Sequence, residues 1–177
     1  MSDDAFRYGG TARLFHWVTA GFVLAMVPAG FVMIRVGPGS LQNSLFDFHR
    51  SVGVVLMLLT LARLVWRLRH TPQPLPDAMP AWQRRAAGIV HGLLYGFVLL
   101  NPLIGWVATS AYGASIEVFG LFTLPPLTGQ DRELAASLFR LHMAMGLAFT
   151  ALVFLHIAAA LHHHFVLRDD TLRRMLG

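Results

Sequence analysis

The chain has 177 residues, 55% of them hydrophobic and only 13% charged, where a soluble domain carries about a quarter charged residues. Composition therefore points to a membrane protein, and the absence of cysteine excludes disulfides, iron–sulfur clusters and thiolate metal sites in this chain. The formal charge is +5 and all 14 basic residues are arginine, but no basic stretch is interleaved with surface aromatics, so nucleic acid is not an expected partner.

Four apolar spans follow in chain order, at about Leu14–Ile34, Leu45–Trp66, Ala86–Thr109 and Ser137–Phe165. Each is long enough to cross about 30 Å of hydrocarbon as a helix. The expected fold class is all-α, an integral membrane four-helix bundle in contact with lipid, and residues 1–177 read as a single domain. The first span is longer than the apolar region of a signal peptide and no small-x-small cleavage site follows it, so it is expected to remain as a helix. The connection "RLRHTPQPLPDAMPAWQRR" is proline-rich and reads as an extended connector. In the third connection, "SIEVFGLF" is expected to form a short interfacial helix.

Arginine placement sets the orientation. Arg7, Arg13, Arg63, Arg67, Arg69, Arg84, Arg85, Arg168, Arg173 and Arg174 fall on one side, against Arg35, Arg50, Arg132 and Arg140 on the other. The excess of arginine predicts that both termini are cytoplasmic.

Histidine is costly in hydrocarbon, yet it recurs at the span ends. His142 and His156 are 14 residues apart, about 21 Å of helical rise and within about 40° of one face. His16 in span one shares the depth of His156, and His49 in span two shares the depth of His142. Two histidines facing each other across a bundle are the axial ligand set of a six-coordinate haem iron. Zinc would want three or four ligands per site, and hydrogen-bonded structural histidine would not require matched depths. Gly53 and Gly146 lie one turn from His49 and His142, where a glycine admits either a flat macrocycle or a neighbouring helix. Gly88, Gly92 and Gly96 read as helix-packing glycines.

Arg50, Arg63 and Arg140 are candidates for haem propionates or for the mouth of the site, since guanidinium pairs well with carboxylate. Arg67 and Arg69 read as topological. His91 and His163 enter the same leaflet as His16 and His156 without being needed as ligands, and can hydrogen-bond and protonate the carbonyl oxygens of a quinone. His162 and His164 read as headgroup histidines, and His70 as solvated.

The segments "RLFHW", "FHRSVGVVLMLLTLARLVWRLR", "GIVHGLLYGFVLLNPLIGW", "LHMAMG" and "LHIAAALHHHFVLRDDTLRRM", in this order and at these span ends, resemble the bacterial cytochrome b561 family of small dihaem membrane proteins. The resemblance covers nearly the whole chain and is strongest to the branch that oxidises superoxide. It implies two haem b stacked across a bacterial inner membrane, with His16 and His156 as axial ligands of the inner haem and His49 and His142 of the outer. It also implies ubiquinone at His91 and His163, and superoxide as the small-molecule donor at the periplasmic face. Lysines expected around that mouth are absent, and Glu117, Asp131 and Glu133 share the side with its four arginines. An electron-transfer subunit relaying electrons from a periplasmic redox protein to quinone, and a non-haem metal carrier, are the competing readings.

Overall fold

A computed structural model describes residues 7–70 and 79–177. Four long helices are present: α1 (Gly10–Met33), α2 (Ser40–Arg69), α3 (Ala81–Tyr112) and α4 (Arg132–His162). All four are long and apolar enough to span a membrane. Each begins a few residues before its apolar span, because polar residues at the surface extend the backbone hydrogen bonding. At the start of α4, for example, the Asp131 carboxylate accepts from the amides of Glu133 and Leu134, satisfying donors that a helix N-terminus otherwise leaves open. Residues 71–78 of the proline-rich connector lie outside the described residues.

The helices alternate in direction, so the start of α1 and the end of α4 lie at one end of the bundle, the terminal end. Packing is most extensive between α1 and α2 and between α3 and α4, and weaker between α2 and α3. Leu24, Leu58, Ile89, Leu147 and Phe154 point outward and are exposed, as a lipid solvent requires. The inward-facing core is a thin layer of Val23, Val52, Leu56 and Phe149, with Met26, Phe97, Val98 and Val153 packed against it.

The expected interfacial helix at "SIEVFGLF" is not formed. The segment is an antiparallel hairpin of β1 (Ile116–Val118) and β2 (Phe122–Leu124), with Ile116 opposite Leu124 and Val118 opposite Phe122. Its period is two: Ile116 and Val118 are buried against Val54 of α2 while Glu117 between them is exposed. A helix would have scattered these β-branched residues around its axis. Phe119 and Gly120 take positive φ of 49° and 70°, the backbone twist that tight hairpin turns require.

Ser51 fastens this hairpin to the bundle. Its buried hydroxyl donates to the Glu117 carbonyl at 3.1 Å and accepts from the Phe119 amide at 2.9 Å. Ser51→Ala leaves both backbone groups short of a partner, which costs about 1–3 kcal/mol in a buried setting. Its expected signature is a lower unfolding temperature and faster hydrogen exchange at the Phe119 amide, with the α4 amides unchanged.

Candidate functional site

Two histidine pairs occupy the bundle at two levels, one on each side of the thin core layer. At the terminal end His16 of α1 faces His156 of α4, with ring centroids 6.3 Å apart and planes at 74°. At the hairpin end His49 of α2 faces His142 of α4, at 6.0 Å and 80°. Two imidazole nitrogens each about 2.0–2.1 Å from a shared metal place their ring centres about 6 Å apart. Both pairs have that spacing.

Each pair also joins helices whose backbones do not pack extensively on each other: α1 with α4, and α2 with α4. The imidazole couples, rather than a helix–helix seam, face each other there. No cluster of three or more metal-binding side chains is found among the described residues. A lone pair of histidines leaves zinc short of ligands, whereas a haem brings four of its own. The donor set therefore fits haem.

The neighbouring helices are notched to receive the rings. On α3, a Cβ placed on Gly105 would stand 3.0 Å from His142 Cε1, while one turn earlier the Asn101 carbonyl accepts from His142 Nδ1 at 2.9 Å. On α1, a Cβ on Gly30 would stand 3.2 Å from His49 Cε1, and one turn earlier the Met26 carbonyl faces the same ring. Among the described residues, however, His49 Nδ1 finds no hydrogen-bond partner and is a buried polar atom left open. Both notches contain a helix-interior proline, Pro102 and Pro28.

Sequence reasoning missed these glycines. The available signal was the pair of motifs "NPLIG" and "MVPAG", each with proline and glycine in an apolar helix at a histidine's depth. Gly53 and Gly146, the expected pair, are looser. A Cβ on Gly53 would meet nothing within 4 Å although the residue is buried, and one on Gly146 would meet only the Asn101 amide, at 3.8 Å. That openness favours a macrocycle over a helix contact at Gly53. Among the described residues, Gly88, Gly92 and Gly96 likewise meet nothing within 4 Å, so no helix packs closely on these three there.

The His142 hydrogen bond fixes the proton on Nδ1 and leaves Nε2 open to bind a metal. At His16 the polarity is reversed. Arg63 Nη2 lies 3.3 Å from His16 Nδ1, and a guanidinium can only donate. Ligation through His16 Nε2 therefore requires Arg63 to turn away from the ring. No carboxylate pairs with Arg63 among the described residues; its guanidinium and that of Arg67 lie over the Tyr95 ring.

The other candidates separate. Arg50 pairs with Asp47 at 3.6 Å, and Arg140 donates to the Ser137 hydroxyl at 3.1 Å. His91 packs its ring 5.4 Å from that of His156. His163 instead turns to Asp169, at 2.5 Å. His162 lies edge-on to His163, His164 packs on Phe165 and His70 stacks on Trp66.

A membrane four-helix bundle with paired histidines at two depths is the architecture of a b-type cytochrome. The sequence profile of the prokaryotic cytochrome b561 family matches residues 7–177, and the chain belongs to that family. It is 33% identical to cytochrome b561 homolog 2 of Escherichia coli K12 over 173 residues, 97% of this chain and 92% of the relative. It is 30% identical to cytochrome b561 homolog 1 of the same organism over 171 residues, 96% and 97% of the two chains. A probable superoxide oxidase CybB of Yersinia pestis is 28% identical over 165 residues, 91% of this chain and 90% of the relative. The protein is thus a membrane-spanning, haem b-binding cytochrome of electron transfer, an oxidoreductase in the broad sense.

Gly105→Ala drives a methyl group into the His142 ring and is expected to lower the haem content measured as pyridine haemochrome. Gly146→Ala meets only a side-chain amide at ordinary contact distance and is expected to leave haem content intact. Equal haem loss in the two variants would contradict the notch.

Proposed function

We propose that this cytochrome oxidises superoxide to dioxygen at the hairpin end and passes the electrons to ubiquinone at the terminal end. Two haem b are held, one by His16 and His156, the other by His49 and His142. The observation that carries this reading is the pair of imidazole couples at ligand spacing on two levels of one helix bundle. The haems, when bound, supply one-electron redox chemistry at both depths. The chain's own residues position them, exclude water from the layer between and handle charge at the two ends. The arginine distribution supports both termini in the cytoplasm of a bacterial inner membrane, with the hairpin end periplasmic. The name of the Yersinia pestis relative supports superoxide as donor.

Superoxide is a small anion, and positive charge at the mouth would raise its encounter rate. The hairpin end carries Arg35, Arg50, Arg132 and Arg140 against Asp47, Glu117, Asp131 and Glu133. Attraction there has to be local rather than a property of net charge. Arg50 is offset by Asp47, whereas among the described residues Arg140 has only a hydroxyl partner. Arg140 is therefore the stronger steering residue, Arg63 the stronger propionate partner, and His91 with His163 the groups assigned to ubiquinone.

A second reading has a specific observation behind it. Phe119, Leu121 and Phe122 at the hairpin tip are exposed, which suits a docking surface for a periplasmic redox protein that feeds electrons into the same path. The two readings separate in stopped-flow experiments with superoxide as sole reductant.

Three outcomes are expected. His142→Ala or His49→Ala should leave one haem of two, and His16→Ala or His156→Ala should remove the other; two low-spin haems per chain in the His142 variant would break the pairing. Haem reduction by superoxide should slow as salt rises, because exposed charges are screened over about 8–10 Å at 0.1–0.15 M, and Arg140→Gln should slow it more than Arg50→Gln. A rate indifferent to salt and to both substitutions would favour the docked protein donor. Finally, the double replacement of His91 and His163 by alanine should keep the haem spectrum but abolish reoxidation by added ubiquinone.

A further inference from the structure

The end of α4 is shaped around one side chain. Regular α-helix stops at His162, a π-helical turn runs over His163–Leu167, and Arg168 reverses the chain with a φ of 54°. A positive φ at a non-glycine residue is uncommon and marks a position that its surroundings enforce. The reversal brings Asp169 back onto His163. The Asp169 amide donates to the His163 carbonyl at 3.2 Å, and Asp169 Oδ2 lies 2.5 Å from His163 Nδ1. Asp169 Oδ1 accepts from the Thr171 amide at 2.9 Å. Both carboxylate oxygens are held, so the group cannot rotate without breaking a bond.

Burial alone would raise the Asp169 carboxyl above its ordinary range, but the hydrogen bonds from His163 and Thr171 outweigh it and hold the group below that range. It is therefore ionised at neutral pH, and an ionised carboxylate only accepts. The proton of the contact must sit on His163 Nδ1, which leaves Nε2 as the nitrogen that exchanges protons with anything beyond the ring. The His163 side chain is 15% exposed and that of Asp169 34%, so the pair runs from the rim of the bundle toward water.

We propose that His163 and Asp169 form a proton-donating pair for a quinone-type acceptor at the terminal end, with Asp169 as the positioning residue. This rests on the quinone reading above. Reducing one quinone with two superoxide ions consumes two protons and yields two dioxygen molecules and one quinol. In each transfer the proton leaves His163 Nε2 for a quinone oxygen. Nδ1–H stays on the ring, bonded to Asp169, and Nε2 regains a proton from water; two such transfers complete the quinol. The competing account is a plain structural clamp that tethers the C-terminal residues.

The test uses the full-length holoprotein in nanodiscs, reduced with dithionite so that no superoxide is involved, then mixed with a short-chain ubiquinone in H2O and in D2O. Asp169→Asn is expected to slow haem reoxidation by about 10-fold to 100-fold, the range of a weakened general acid. It should also enlarge the solvent isotope effect while leaving haem content and the quinone concentration dependence unchanged. Asp169→Glu should restore much of the rate. Nitrogen-15 NMR of the wild-type protein should show His163 protonated at Nδ1 with a strongly deshielded proton, a signal that Asp169→Asn removes. If Asp169→Asn reoxidises at the wild-type rate while His163→Ala is slow, the pair is only a clamp and the quinone assignment survives. If His163→Ala is also as fast as wild type, the quinone assignment itself fails. A wild-type His163 unprotonated at Nδ1 overturns the proposal whatever the variants do.

Discussion

Imidazole facing imidazole across about 6 Å of membrane interior is the arrangement on which the rest of the structure depends. Polar ring nitrogens cannot be left idle in hydrocarbon without a cost of several kcal/mol, so the helices that bear them cannot be placed freely. α4 supplies one ring to each pair and packs extensively on neither α1 nor α2. Extensive packing is found instead in the close seams of α1 with α2 and of α3 with α4. The bundle is two tight helical hairpins set face to face, with the histidines in the space between.

The notches follow from the same requirement. A histidine side chain reaches away from its own helix, so room for the ring has to be made on the neighbour. Gly105 and Gly30 make that room on α3 and α1, and the carbonyls one turn back offer a place for the inward-facing Nδ1. At His142 the offer is taken up; at His49 it is not quite met. The two rings are thus held with different firmness, and the basicity of a metal-binding imidazole depends on that second hydrogen bond.

Helix number, helix direction and the two histidine levels were legible in the sequence, because apolar length and depth along a helix depend only on residue count. Gly30 and Gly105 were not legible as ring contacts, because which neighbour a ring touches depends on the rotation of each helix about its own axis. Reasoning along a single helix pointed to Gly53 and Gly146 instead. The hairpin at Ile116–Leu124 was misread because a short apolar run has no decisive period; the buried–exposed–buried order of Ile116, Glu117 and Val118 resolves it. The sequence carries no signal that singles out Asp169, since only the π-helical turn and the positive φ at Arg168 return it to His163.

The thin layer of Val23, Val52, Leu56 and Phe149 separates the two levels with side chains that can neither carry a proton nor hold an ion. An electron can tunnel through such a layer; a hydrated charge cannot follow it. In the proposed orientation superoxide loses its negative charge outside while a proton is consumed inside, and both changes leave the interior of the cell more negative. The layer would then act as a dielectric between two plates. Each charge separated across it would work against the membrane voltage by about 2.3 kcal/mol per 100 mV, so under that proposal clearing a toxic oxidant and charging the membrane would be one event.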